Sequence, residues 1–140
     1  MALGEASRHF EVQATIRASA GRAGFEIDLS PDGEEVVRVF VDADRRVLTL
    51  DRSQASRDPR APSSRIEARL PDPRGPWHLR AFLDGSILEL FLGERLTLTS
   101  RIYPTSGRPG HTRAFVRGGD ATLDDGVMWP LSTATIAVAT

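Results

Sequence analysis

Carboxylates and arginines carry most of the reactive chemistry available to this 140-residue sequence. Asp84 and Glu89 lie near each other in the chain, and two carboxylates flanking a glycosidic bond can act as acid and nucleophile, or acid and base. Nothing in the sequence fixes their separation. Asp51-Arg52 sets a carboxylate beside a guanidinium fork, a combination that can hold vicinal diols; its plainer use is a loop-anchoring ion pair. Glu89 alternates with leucines and shares a face with Ile87 and Phe91. A carboxylate in such company can accept paired sugar hydroxyls, with Phe91 as a wall. Its plainer use is an ion pair with an Arg on the next strand. Asp84 opens an Asp-Gly turn, where an Asp commonly bonds its own backbone.

Other chemistries are excluded or weakly supported. The chain has no cysteine, so disulfides, thiolate metal sites and Cys nucleophiles are ruled out. It also has no asparagine, which removes N-glycosylation sites and every motif that needs Asn. His9, His78 and His111 are far apart and show no metal-ligand spacing. Asp120, Asp124 and Asp125 offer oxygen ligands without the regular spacing of a calcium loop, so an exposed acidic turn is the expected role. No phosphate-binding glycine loop and no Gly-x-Ser-x-Gly elbow is present. No metal or other cofactor is expected. Eighteen basic residues oppose nineteen acidic ones, for a net charge of −1, which argues against a nucleic-acid binder. All the basic residues are Arg, as the codon usage of a GC-rich bacterial genome would give. No apolar run reaches the roughly 20 residues of a membrane span. Met1 to Arg8 lacks the apolar segment of a signal peptide, which leaves a cytoplasmic or a secreted parent protein equally open.

The elements that must position these residues are strands. Alternation of period two runs through Phe10–Ile16, Phe25–Leu29, Val37–Val41, Leu48–Leu50, Ile66–Leu70, Trp77–Leu83, Leu88–Leu92, Leu98–Ile102 and Thr112–Val116, with a last apolar stretch at Ile136 and Val138. Pro31-Asp32-Gly33, Asp84-Gly85, Gly93-Glu94, Ser106-Gly107 and Gly118-Gly119 punctuate the runs. No window of a dozen residues holds helical spacing. About ten strands at this spacing predict an all-β fold, a two-sheet antiparallel β-sandwich of the jelly-roll or lectin-like kind, as a single domain over residues 1–140. Residues 52–64 form the one long loop. Trp77 is in phase with Leu79, Ala81 and Leu83 and belongs to the core; His78 points outward. Trp129-Pro130 covers the sandwich or an interface.

The stretch from Trp77 to Pro104 resembles the C-terminal β-sandwich module of glycoside hydrolase family 32, the invertases, levanases, inulinases and sucrose-6-phosphate hydrolases. Leu79, Arg80, Asp84, Ser86, Glu89, Phe91, Gly93, Thr99, Arg101, Ile102, Tyr103 and Pro104 match the family pattern, and Leu50-Asp51-Arg52-Ser53 resembles its Asp-Arg-Ser. The likeness extends from about Phe10 to Val138. It implies that chemistry resides in a separate five-bladed propeller, whose nucleophile motif needs Asn and whose acid Glu sits beside a Cys. This chain has neither residue, so the catalytic domain lies outside it. Arg57-Asp58-Pro59 matches a propeller tripeptide, but it falls in a Ser/Pro/Arg loop and reads as coincidence.

The resemblance therefore implies a non-catalytic module of a sucrose- or fructan-hydrolysing β-fructosidase, whose partner is the propeller of the same polypeptide. The alternative it allows is a fructan-binding module that grips a terminal fructose through Asp51, Arg52, Asp84 and Glu89. Fructan or fructose is then a ligand, and a homodimer is among the states consistent with either reading. An independent enzyme is the third and weakest reading.

Overall fold

The computed structural model describes residues 2–72 and 74–131. The Ile136–Val138 stretch lies outside the described residues. Eleven strands are seen among the described residues: β1 (Ala2–Leu3), β2 (His9–Ala18), β3 (Arg22–Asp28), β4 (Val36–Asp42), β5 (Val47–Gln54), β6 (Arg65–Arg69), β7 (Trp77–Asp84), β8 (Ile87–Leu92), β9 (Leu96–Arg101), β10 (Thr112–Arg117) and β11 (Ala121–Pro130). They form an antiparallel sandwich of two sheets. A six-stranded sheet has the order β1-β10-β3-β4-β5-β6, and a five-stranded sheet has the order β11-β2-β7-β8-β9. No helix among the described residues is long and apolar enough to cross a membrane.

The predicted alternation is the pattern of burial in most strands; in β10 it fails at Val116, which is exposed. Phe10, Val12, Ala14 and Ile16 of β2, Leu79, Ala81 and Leu83 of β7, and Leu88 and Leu90 of β8 are wholly buried. They face Phe25, Ile27, Val37, Val39, Val41, Leu48 and Leu50 of the other sheet within one apolar cluster. Each of these Val, Leu, Ile and Phe side chains contributes about 1.5–3 kcal/mol on burial. Trp77 is also buried, and its indole N–H donates to the carbonyl of Asp72 at 2.6 Å. The long loop begins three residues later than the composition suggests. Arg52–Gln54 remain strand because Gln54 still pairs with Val36 across a bulge in the β4–β5 ladder.

The two outer faces differ. On the six-stranded sheet, carboxylates lie almost buried beneath arginines: Glu26 under Arg38 and Arg117, Asp28 under Arg113, Asp42 under Arg22, and Asp51 under Arg65. Thr49 beside them is wholly buried although it points away from the core. Among the described residues, the outer face of the five-stranded sheet carries fewer ion pairs, and each outer face holds one edge-to-face phenylalanine pair.

Three loops meet at one end. Glu35, wholly buried, accepts from the backbone N–H of Arg57 at 2.9 Å, of Thr105 at 2.7 Å and of Ser106 at 2.9 Å. The Arg57 guanidinium closes over it onto Asp32 at 2.5 Å and Glu34 at 2.7 Å.

Candidate functional site

The four residues singled out by the sequence do not form one pocket. Asp51 and Arg52 stand on β5 of the six-stranded sheet. Asp84 and Glu89 stand on β7 and β8 of the other.

Asp51 is nearly buried on the outer face of its sheet. Its carboxylate accepts from the Ser53 N–H at 2.9 Å and pairs with Arg65 at 3.2 Å. Burial pushes its carboxyl up, but the Ser53 donors and the Arg65 and Arg38 charges outweigh that and hold it below the ordinary aspartate value. Arg52 reaches away from Asp51. It donates to the Ser64 hydroxyl at 2.7 Å and to the Ser64 and Arg101 carbonyls at 3.4 Å. It therefore fastens the end of the long loop to β9. Arg52→Ala should cost about 0.5–1.5 kcal/mol and make the loop near Ser64 cleave faster in limited proteolysis. A cleavage rate equal to wild type would dismiss the clamp.

Asp84 is exposed, and its Oδ1 lies 2.8 Å from His9 Nδ1 rather than on its own turn's backbone. The turn itself is tight because Gly85 takes a φ of 65°, a conformation that costs a side chain but not glycine. Register then lays out the outer face of the five-stranded sheet in rows. One row is His9, Asp84, Ile87, Arg101. The next is Trp129, Glu11, Phe82, Glu89, Thr99. The third is Val127, Gln13, Arg80, Phe91, Thr97.

Glu89 sits in the middle row with Phe82 and Thr99 as cross-strand neighbours, and it is half-buried. The expected Arg partner on the next strand is not there: among the described residues its carboxylate has no hydrogen-bond or ion-pair partner. Arg80, one row away, is engaged by Glu11 through two N–H groups at 3.0 and 3.2 Å. The same guanidinium lies over Phe82, 5.1 Å from the ring centre, and 6.0 Å from that of Phe91. The two rings meet edge to face at 5.6 Å, a favourable aromatic geometry. Trp129 is exposed at the far end of the row. Phe82 and the Arg80–Glu11 pair were missed by the reading of the sequence. Their signal was an aromatic out of phase with the Leu79, Ala81, Leu83 core face.

Several of the remaining candidates are engaged elsewhere. Asp124 pairs with Arg17 at 3.0 Å and Asp120 accepts from the Ser19 hydroxyl. His78 Nε2 lies 2.7 Å from the Gln13 amide oxygen. Asp58 pairs with Arg60 at 3.1 Å, and that pairing together with the Arg60 N–H lowers its carboxyl. The Arg57-Asp58-Pro59 tripeptide thus serves the loop cluster around Glu35. Beside it, Asp58, Arg60, Ala61, Pro62 and the exposed Tyr103 line a shallow depression.

The fold is that of the β-sandwich part of several solved enzymes. Exo-inulinase from Aspergillus awamori aligns with a TM-score of 0.78 at 24% identity, over 93% of this chain and 26% of that one. Fructan 1-exohydrolase IIa from Cichorium intybus aligns at 0.77 and 21%, over 94% and 32%. The chain thus spans about a quarter to a third of the length of these enzymes. A carbohydrate-binding module from Bacillus subtilis, CBM66, aligns at 0.61 and 15%, over 89% of this chain and 77% of the module. Comparison with curated protein sequences found no match. The model of the glycosyl hydrolases family 32 C-terminal domain matches residues 2–130. The chain belongs to that family.

Proposed function

We propose that this chain is the non-catalytic β-sandwich of a family-32 β-fructosidase and that it packs against and stabilises the catalytic propeller of the same polypeptide. The observation that carries this is the family match across nearly all of the described sequence. The relatives support it, because in them this fold accompanies a much longer remainder of chain. The parent enzyme would act on sucrose or a fructan. The purified chain is expected to release no reducing sugar from sucrose, levan or inulin; release would overturn the non-catalytic reading. Joined to its propeller, the sandwich should raise the propeller's melting temperature. An unchanged value would remove the packing role.

A second reading, a fructan-binding module, is favoured by one feature: the carboxylate of Glu89 has acceptors to spare on an aromatic face. The likeness of fold to a carbohydrate-binding module agrees with it. In this reading Glu89 accepts sugar hydroxyls and Asp84 stands in the next row beside it, while Asp51 and Arg52, on the other sheet, take no part. Terminal fructose is the ligand it names.

A further inference from the structure

We infer that the outer face of the five-stranded sheet binds an extended oligosaccharide chain lying across the strands, along the row Trp129, Glu11, Phe82, Glu89, Thr99. The inference rests on the carbohydrate-binding reading and replaces its single terminal sugar with a chain.

The row alternates ring, acid, ring, acid and hydroxyl. Strands in a sheet stand ~4.8 Å apart, so Trp129 and Phe82, two strands apart, are separated by about 10 Å and the whole row spans about 19 Å. One monosaccharide cannot reach both rings. A chain can, with its C–H faces on the rings and its hydroxyls toward the acids between them.

The charges favour this occupant over a protein. Glu89 is half-buried and has no partner among the described residues, while Arg80 is tied to Glu11. A protein covering the face would have to bring a matched cation to Glu89, because a desolvated, unpaired carboxylate is costly. It would also have to desolvate the Arg80–Glu11 pair. A sugar chain brings hydroxyl donors at every residue and satisfies these groups in any register. The apolar area is also limited: of the large exposed hydrophobic residues here, Trp129 and Val127 are neighbours on β11, while Ile87 lies three strands away on β8 with polar groups between. Among the described residues the opposite outer face offers no comparable free acceptor, since its carboxylates lie under arginines.

The test uses the purified chain, with levan, inulin, a short inulin oligosaccharide and fructose as probes. Trp77 is buried, so a change in tryptophan emission on binding reports Trp129. Titration should show affinity rising with chain length, fructose binding at least about tenfold more weakly than the oligosaccharide, and quenching that disappears in Trp129→Phe. Glu89→Gln and Trp129→Ala should each weaken binding about tenfold or more, and Tyr103→Ala, at the separate shallow depression, should leave it unchanged. Binding that survives the first two substitutions, or is lost in Tyr103→Ala, would overturn this site and leave the carbohydrate reading standing. Fructose binding as tightly as the chains would overturn the extended ligand. No binding of any probe by folded protein would overturn both this site and the reading it rests on. Self-association abolished by Trp129→Ala, without carbohydrate binding, would give the face to a protein partner instead.

Discussion

Glu35→Leu should destabilise the fold by about 3–5 kcal/mol, the range seen when one partner of a buried charged contact is removed. Glu35 is wholly buried, and its carboxylate gathers N–H donors from two loops distant in sequence. The Thr105 hydroxyl adds a fourth contact at 3.1 Å. Leucine fills the volume but leaves three backbone N–H groups unpaired at about 1–3 kcal/mol each, partly relieved as the loops open to water. Glu35→Gln keeps the shape and loses the charge, so a smaller loss of about 1–3 kcal/mol is expected. Burial pushes the Glu35 carboxyl up, but the N–H groups of Thr105, Arg57 and Ser106 outweigh it, and it titrates below the ordinary glutamate value. A depressed folded-state value means that the contribution is fully present above the unfolded value and is lost as pH falls through the folded one. The gap in stability between wild type and Glu35→Gln should therefore be wide at about pH 7 and narrow toward about pH 3. Urea denaturation at both pH values measures it. A gap that is constant with pH would show that the charge of Glu35 does not carry the contact.

Glu35 also shows where the sequence stopped being legible. It follows Pro31-Asp32-Gly33-Glu34, a run that reads as a solvated turn, and the turn is indeed there, with Gly33 at a φ of 74°. What buries Glu35 is the arrival of residues 57 and 105–106, 22 and 70–71 positions away. No local pattern announces such contacts. The strands were readable for the opposite reason: alternation is local, so Trp77–Leu83 and Leu88–Leu92 declared their core faces directly. Sheet order was not readable. β10 pairs with β3 and β11 with β2, long-range choices set by which apolar faces close the sandwich. The family was legible from Leu79–Pro104 because many of its positions recur at fixed spacing. At Glu89 the face was legible from phase, but its lack of a partner was not. That depends on Phe82 and Thr99 standing opposite it and on Arg80 being taken by Glu11. Asp51 and Arg52 are adjacent in sequence, yet they bond to different neighbours because successive strand residues point to opposite faces.

Gly24→Ala is the second large effect, and it arises from sterics rather than charge. Gly24 lies mid-strand in β3, paired with Phe40 of β4 on one side and Phe115 of β10 on the other. Its φ is not in the left-handed region, so backbone freedom is not its purpose. A Cβ on Gly24 would stand 2.1 Å from the Val39 carbonyl oxygen and 2.6 Å from the Phe40 Cα. These are backbone atoms of the neighbouring strand and cannot swing aside. The missing side chain also lets Phe40 and Phe115 meet above the strand, edge to face at 5.8 Å. Arg22 and Arg117 lie over those two rings at 5.3 and 5.5 Å, and both belong to the arginine–carboxylate lattice of that face. Alanine must therefore push β4 away from β3, part the rings and loosen the ion pairs above them. Overpacking alone costs about 1–3 kcal/mol, and with the lost ring contact of about 0.5–1.5 kcal/mol the total should reach about 3 kcal/mol. Gly119→Ala is the matched control. A Cβ there meets nothing within 4 Å and its φ is ordinary, so its effect should stay within about 0.5 kcal/mol. Thermal melts of the two variants side by side decide the matter: equal melting temperatures would mean that β3 and β4 can separate freely at Gly24, and that the ring pair does not hold this face together.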